Sequence, residues 1–536
     1  MPYKRRTYSG LYQGSPVGTF QGVPGINIEL VTMKTIGSIY LLKPFLYALK
    51  IREIIDLIVP MERNHDDGLT HGQVIEQLVL NRLNSPCPLV LIEDWAENVG
   101  IFELFQICPE ELNDDRLGRA LDAIEPYIND IEEAIVLHCF SRFSKLDKSH
   151  VLWDLTSFYF EGDHEASDLI RYGYNRDQKK DKKQAVVELN VTAKDGIPLC
   201  HRTLAGNASD RKEALKNLDT LKKRLKNQDF LIIGDRAMFT RENLAGLIGK
   251  KIDFVGPLAS REKEFILSFP DEQFQALSYT TAKDKGGYSC IDTTYTLEHN
   301  GGYFKCRAVV VKSEELAEQQ KKTLARNLSK VDADLQKIRG NLNQRKYKNY
   351  DYASDQIKKK LAKHGSYGKL FHVVLDAKEE GAMILTWEYE QELFNQELRL
   401  LGKYILATSL DKKTHDAETV LESYKSRHRV EDQIRTTKST LKIRPVFLQK
   451  DERIKALVLV MIIALIVYAL IEYVVKKEGL AKSAKRALFM FRMSAIVALK
   501  VNGHLVQQIG NISSFMRAVL NALNIKPLEL DNITTG

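Results

Sequence analysis

The chain has 536 residues, 44% hydrophobic and 28% charged, which is too long for one core and predicts two to four domains. That composition excludes a disordered, collagenous or polytopic membrane protein. The net charge of +8 hides an asymmetry: residues 1–150 hold 14 Lys and Arg against 21 Asp and Glu, and the other 386 hold 64 against 49. A polyanion would be drawn to that later part, unless the excess is only a solvated surface.

The start, MPYKRRTYSG, has basic residues with no apolar run behind them, so no secretory signal is expected. Cys87, Cys108, Cys139, Cys200, Cys290 and Cys306 are scattered, with no C-x-x-C pair. A reducing compartment fits, without a disulfide framework or a cysteine zinc site. Residues 38–60 and 70–150 read as helical, and Thr70 with Gln73 makes a capping box before VIEQLVLNRL. Pro86 and Pro88 break the chain between helices.

At residue 151 the pattern changes. VLWDLTSFYFEG reads as a strand, and QAVVELNVTA and IPLCHRTLAG read as a hairpin about the turn at 194–196. Residues 209–227 read as a basic-faced helix, FLIIGD (230–235) as a short buried strand, and TRENLAGLIG as a helix. Residues 260–400 differ in style. A hairpin is expected around Asn300-Gly301-Gly302, then a heptad stripe of Leu324, Leu328, Val331, Leu335, Ile338 and Leu342, which predicts a long helix packed on a partner. Residues 312–369 carry 15 basic and 7 acidic groups, and the module reads as an insertion within another domain. The strand KYILATSLD (403–411) restores the earlier style, and a helix from about 416 to 440 follows. The run ALVLVMIIALIVYALI (456–471) is short for a bilayer span of about 20 residues and is expected to be a buried helix. A helical tail is expected after it.

Two acids sit where strand-borne chemistry would put them: Asp154 inside VLWDLTSFYF, and Asp235 at the end of FLIIGD. An acid among strand hydrophobics pays for desolvation unless it meets a cation or a donor. The plainer alternatives are a strand-end cap or a paired core carboxylate. In YKSRHRVEDQIRTTK (424–438), Tyr424, Arg427, Glu431 and Lys438 stand at relative positions 0, 3, 7 and 14. On one helix they would fall within roughly 60° of a single face. The alternative is an amphipathic surface helix with an Arg427–Glu431 pair at i, i+4.

Tyr-x2-Arg-x3-Glu-x6-Lys is the YREK signature, and here the chain resembles the DDE transposases of bacterial and archaeal insertion sequences. Asp154 in WDLTSFYF, with Thr156 two residues on, resembles the family's first acid, and Asp235 in IIGDRAMF, with the small Ala237, its second. Further similarity lies in GYNRDQKKDKKQ, HRTLAGNASD and KSTLKIRPVFLQKDERIKALV, and the resemblance covers about residues 60–475. It implies an α/β ribonuclease-H-like catalytic core interrupted by a mixed α+β insertion domain, with helical N-terminal and C-terminal regions. The expected divisions are 1–150 (N-terminal, with end-DNA binding), 151–260 (first part of the core), 261–400 (insertion), 401–475 (second part of the core) and 476–536 (C-terminal).

The resemblance further implies a catalytic and metal-binding set of Asp154, Asp235 and Glu431. Asp154 would bridge two Mg²⁺ ions, for which Mn²⁺ could substitute, and each of the other acids would hold one. Tyr424, Arg427 and Lys438 would grip DNA phosphates. Arg435, Lys442 and Arg444 extend that track or form a solvated face. His428 contacts phosphate or makes a local helix contact, and Trp387 stacks a flipped base or packs in a core. The partners expected are transposon terminal inverted repeats and target DNA, with a homodimer in the DNA complex and no membrane. Local basic spots at Lys4, Arg5 and Arg6, or at Arg116 and Arg119, would serve repeat recognition in the acidic N-terminal third. The location implied is cytoplasmic, at the nucleoid when DNA is bound. The rival readings are a nuclease that cuts without joining and a catalytically silent DNA-binding derivative. A glycosidase with paired acids would leave the YREK positions without work.

Overall fold

The computed structural model describes residues 19–20, 28–61, 68–162, 164–174, 181–226, 228–258, 262–280, 286–377, 382–441, 448–481 and 483–522. The chain divides into a first unit, Met1–Phe230 with Arg427–Gly536, and a second, Leu231–Ser426.

The first unit begins with β1 (Thr19–Phe20) and β2 (Ile28–Thr35) and continues through α1 (Ile39–Leu49), α2 (Ile51–Ile58), α3 (His71–Asn84), α4 (Ile92–Asn98), α5 (Ile101–Phe105), α6 (Asp114–Ile124) and α7 (Ile128–Arg142). The capping box at the start of α3 forms as expected: Gln73 N–H donates to Thr70 Oγ1 at 3.1 Å and Thr70 N–H to Gln73 Oε1 at 2.9 Å. α3 buries nearly its whole circumference, including Glu76, which is 3% exposed. Burial pushes the Glu76 carboxyl up from 4.5 to about 7. Because the folded value lies above the unfolded one, the folded chain holds the extra proton, and stability present at acid pH is lost as pH rises through about 7. Glu76→Gln is therefore expected to stabilise the first unit by about 3 kcal/mol near pH 8 and by almost nothing near pH 4. Denaturant melts at the two pH values check this, and an equal gain at both would remove Glu76 from the pH dependence.

Next come β3 (His150–Tyr159), β4 (Gln184–Thr192), β5 (Pro198–Ala205) and α8 (Asp210–Arg224). The three strands form an antiparallel meander in which Asp154 opposes Leu189, and Leu189 opposes His201.

In the second unit the chain runs β6 (Leu231–Ile233), α9 (Arg241–Gly249), β7 (Asp253–Pro257), α10 (Lys263–Leu267), β8 (Gln275–Leu277), β9 (Tyr288–His299), β10 (Gly302–Ser313), α11 (Glu314–Asn341), α12 (Tyr350–Lys363), β11 (Phe371–Ala377), β12 (Met383–Tyr389), α13 (Gln391–Leu400), β13 (Lys403–Thr408) and α14 (Ala417–Lys425). Its strands are ordered β6–β7–β13–β10–β9–β8, with only β6 and β7 parallel. The β9–β10 turn has positive φ at Asn300 and Gly301, the two-residue geometry that twists with its strands. The sequence set all of 261–400 apart, whereas β10 hydrogen-bonds β13 and buries Ala308–Val311 in the same sheet as β6 and β7. A separate hydrophobic cluster begins only at Leu324. The heptad stripe of α11 packs there with Ala353 and Ile357 of α12 and with the β11–β12 hairpin.

Back in the first unit are α15 (His428–Ser439), α16 (Asp451–Lys477), α17 (Ala484–Phe491), β14 (Ala495–Val501), β15 (His504–Gly510) and α18 (Ser514–Ala522). α16 is long and apolar enough to cross a membrane, but 94% of its most apolar window is buried inside the protein. It packs on α1, α3, α6, α7, α17 and β5, and each fully buried Leu, Ile or Val contributes about 1.5–3 kcal/mol. The terminal regions are not purely helical: β14 pairs with β15 and also with β2, in a sheet ordered β1–β2–β14–β15. The hairpin signal was Asn502-Gly503, both at positive φ. The pairing with β2 joins segments more than 450 residues apart and leaves no local trace.

Candidate active site

β3 is buried on both faces, and Asp154 is its one interior residue that is not fully buried. Its Oδ1 accepts the Leu155 N–H at 2.8 Å. Thr156, on the same face two residues on, is buried, and its Oγ1 has no hydrogen-bond partner among the described residues. The opposite face of the meander carries a polar cluster. Arg202 Nε and Nη2 donate to Glu188 Oε1 and Oε2 at 2.9 and 2.6 Å, and Asn190 bonds Asn217 at 2.9 Å. Trp153 also hydrogen-bonds Glu188, yet burial holds that carboxyl above its usual range. The strands behind Asp154 are thus tied by a buried, paired charge.

α15 lays Val430, Gln433 and Thr437 against β3 and β4. Glu431 stands beside that stripe, 49% exposed, in an ion pair with Arg427 at 2.9 Å. The i, i+4 pair weighed as the plainer alternative therefore forms. An exposed pair of this kind is worth about 0–1 kcal/mol, so another cation could displace Arg427 at little cost. Lys438 lies in the last turn of α15, and Arg435 pairs with Asp432 at 2.8 Å.

The expected helix over 416–440 is interrupted at Ser426 and Arg427. Ser423 Oγ donates to Thr419 O at 2.8 Å and Ser426 Oγ to Ser423 O at 2.7 Å, local bonds that compete with helix continuation. Tyr424 thus belongs to α14, with its ring 6.1 Å from that of Tyr404, and the single-face argument holds only from Arg427 onward.

In the second unit Asp235 follows β6. Its Oδ1 accepts the Ala237 and Met238 N–H groups at 2.9 and 3.2 Å, which turns the chain and fixes the carboxylate. Among the described residues, Asp235 Oδ2 and Glu431 Oε2 accept no hydrogen bond. Carboxylate oxygens are the donors Mg²⁺ takes, so the three acids suit that ion by type. Among the described residues no group of three or more His, Cys, Asp or Glu side chains is placed to hold a metal.

Trp387, on β12, donates from Nε1 to Asp332 at 2.9 Å and lies under the Arg339 guanidinium at 4.7 Å, packed against the α11 cluster. His428 is exposed at the start of α15. No local motif singles out Asp195, in the turn before β5. It is half-buried beside Asp147, with its carboxyl raised chiefly by desolvation and its Oδ2 unpartnered among the described residues. Only the packing of the turn reveals it. Lys4, Arg5, Arg6, Lys442, Arg444 and the 175–180 part of GYNRDQKKDKKQ lie outside the described residues.

The family model for the transposase DDE domain matches residues 145–467, and that for a domain of unknown function, DUF4277, matches residues 31–136. No curated protein matches. Among solved structures, the chain is similar to one in the "Cryo-EM structure of piggyBac transposase synaptic complex with hairpin DNA (SNHP)". The identity is 11% and the TM-score 0.39, over 90% of this chain and 83% of that one. It is also similar to one in the "Mos1 transposase paired-end complex with left transposon end", at 11% identity and TM-score 0.15, over 36% of this chain and 61% of that one. Both scores are too low to argue a common fold.

Proposed function

The chain belongs to the transposase DDE domain family, and from that premise we propose that it is a cut-and-paste DNA transposase of the YREK group of bacterial and archaeal insertion sequences. The observation that carries this reading is that the family match, over 145–467, takes in Asp154, Asp235, Glu431, Tyr424, Arg427 and Lys438 together. The order along the chain supports a ribonuclease-H-like core: three antiparallel strands with an acid on the first, a helix, a strand followed by an acid, and a late helix carrying the third.

Asp154, Asp235 and Glu431 are the residues that would hold the divalent ions. Bound Mg²⁺, or Mn²⁺ in its place, supplies polarisation of the attacked phosphodiester and charge relief at the leaving oxygen. Arg427, released from Glu431, turns to a DNA phosphate, and Tyr424 and Lys438 position the same strand without reading its sequence. A water attacks the phosphodiester at the transposon end and breaks its P–O3′ bond, freeing a 3′-hydroxyl and leaving a 5′-phosphate on the flank. That hydroxyl then attacks a target phosphodiester, joins its phosphorus and expels the target's own 3′-hydroxyl. Two ends cut together call for a homodimer on the DNA, acting in the cytoplasm at the nucleoid.

The test incubates the protein and Mg²⁺ with labelled DNA bearing the ends of the element that encodes the chain, and with supercoiled plasmid. Label joined to plasmid is the expected result. Nicking without joining would mean a nuclease, and DNA binding with neither would mean a silent derivative.

A further inference from the structure

Several cations of the first unit are matched by acids: Lys34 by Glu103, Arg119 by Asp115, Arg453 by Asp122 and Lys455 by Glu125. Arg119, expected from the sequence to meet DNA, is one of these paired cations. A groove of about 680 Å³ breaks this pattern. It is bounded by the turn into α1, the end of α3, the end of α15 and the outer face of α17. Lys485 and Phe489 of α17 and Arg492 just after it line the groove, at spacings of four and three that continue one helix face, and all are exposed. Among the described residues neither Lys485 nor Arg492 has an acidic partner within ion-pair distance. The acid that meets α17, Glu472, is taken up by Lys476 and by the Ala484 N–H at 3.2 Å. Arg492 stacks 3.6 Å from the Phe489 ring centroid, which lays its guanidinium along the wall.

The opposite wall is built of neutral donors. Asn84 Oδ1 accepts the Ser38 N–H and Oγ–H at 3.1 and 3.0 Å. That fixes the amide and leaves its Nδ2 without an acceptor among the described residues. The approach needs Gly37, at φ +58, where a Cβ would fall 2.6 Å from Asn84 Oδ1. Ser85 and Thr440 add hydroxyls.

We propose that this groove holds the sugar–phosphate backbone of duplex DNA. Two unpaired cations facing an amide N–H and hydroxyls are phosphate ligands that carry no base readout. The groove also includes Ser439 and Thr440, directly after Lys438, so it continues the phosphate track proposed for α15. Within this groove the N-terminal third contributes neutral donors, while the charge comes from Lys485 and Arg492. The inference rests on DNA being the substrate of the proposed transposase.

The test compares the full chain with Lys485→Ala/Arg492→Ala and with Lys485→Glu/Arg492→Glu, measuring Kd for a linear duplex across a salt series. Loss of two phosphate contacts should lower the slope of log K against log salt by about 1.8 and weaken binding on the order of tenfold near 0.1 M salt, with a larger loss for the charge reversal. Circular dichroism melts confirm that both variants fold. Wild-type slope and Kd in both folded variants, with wild-type cleavage intact, would overturn the groove alone. Absence of DNA binding by the wild-type chain would overturn the groove and the transposase reading together.

Discussion

Glu431→Gln is expected to slow Mg²⁺-dependent nicking of end DNA by about a thousandfold or more, and Asp154→Asn to do the same. Each substitution keeps the shape of the side chain and removes one charge from the set that would hold the ions. Ion-derived charge stabilisation is worth several kcal/mol, and each 1.4 kcal/mol is about tenfold in rate. The fold should not suffer, because Glu431 is half exposed and its pair with Arg427 is a surface pair. Asp235→Asn is expected to behave alike, since an Asn Oδ1 can still accept the Ala237 and Met238 N–H groups that shape the turn. Nicking rates with DNA affinity measured in parallel check all three. Nicking unchanged in Glu431→Gln would take that residue out of the mechanism.

Arg202→Ala is expected to destabilise the β3–β5 meander by about 3–5 kcal/mol, the cost of stranding a buried charge. Glu188 has no exposed surface, and burial already holds its carboxyl above the usual range with Arg202 bound to both oxygens. Without the guanidinium that carboxyl must rise further. A folded value above the unfolded one means stability retained at acid pH and lost as pH climbs, so the penalty should shrink near pH 4 and be largest at neutrality and above. Adding Glu188→Gln should recover part of the loss. Amide exchange of β3, β4 and β5 localises the effect. Since Glu188 opposes Leu155, next to Asp154, nicking should fall along with protection. Unchanged exchange in Arg202→Ala would show that the pair does not hold the meander.

The features that sequence alone determined are those settled by near neighbours. The capping box at Thr70, the Asn300-Gly301 turn, the α11 stripe and the burial of α16 each follow from side chains within a turn or two. Asp154 and Asp235 stand out for the same reason, as carboxylates within or just after apolar runs, whereas Glu431 stands out only by the spacing of the charged residues around it. Tertiary structure decided what depends on distant partners. It paired β2 with β14, drew the β9–β10 hairpin into the sheet of β13, and buried Glu188 under Arg202. It also split the YREK helix at Ser426, where serine hydroxyls bond back to the backbone, and left Glu431 with Arg427 as its partner. Strand pairing and desolvation are set by which surfaces meet, and nothing in a local stretch of chain records its eventual neighbour.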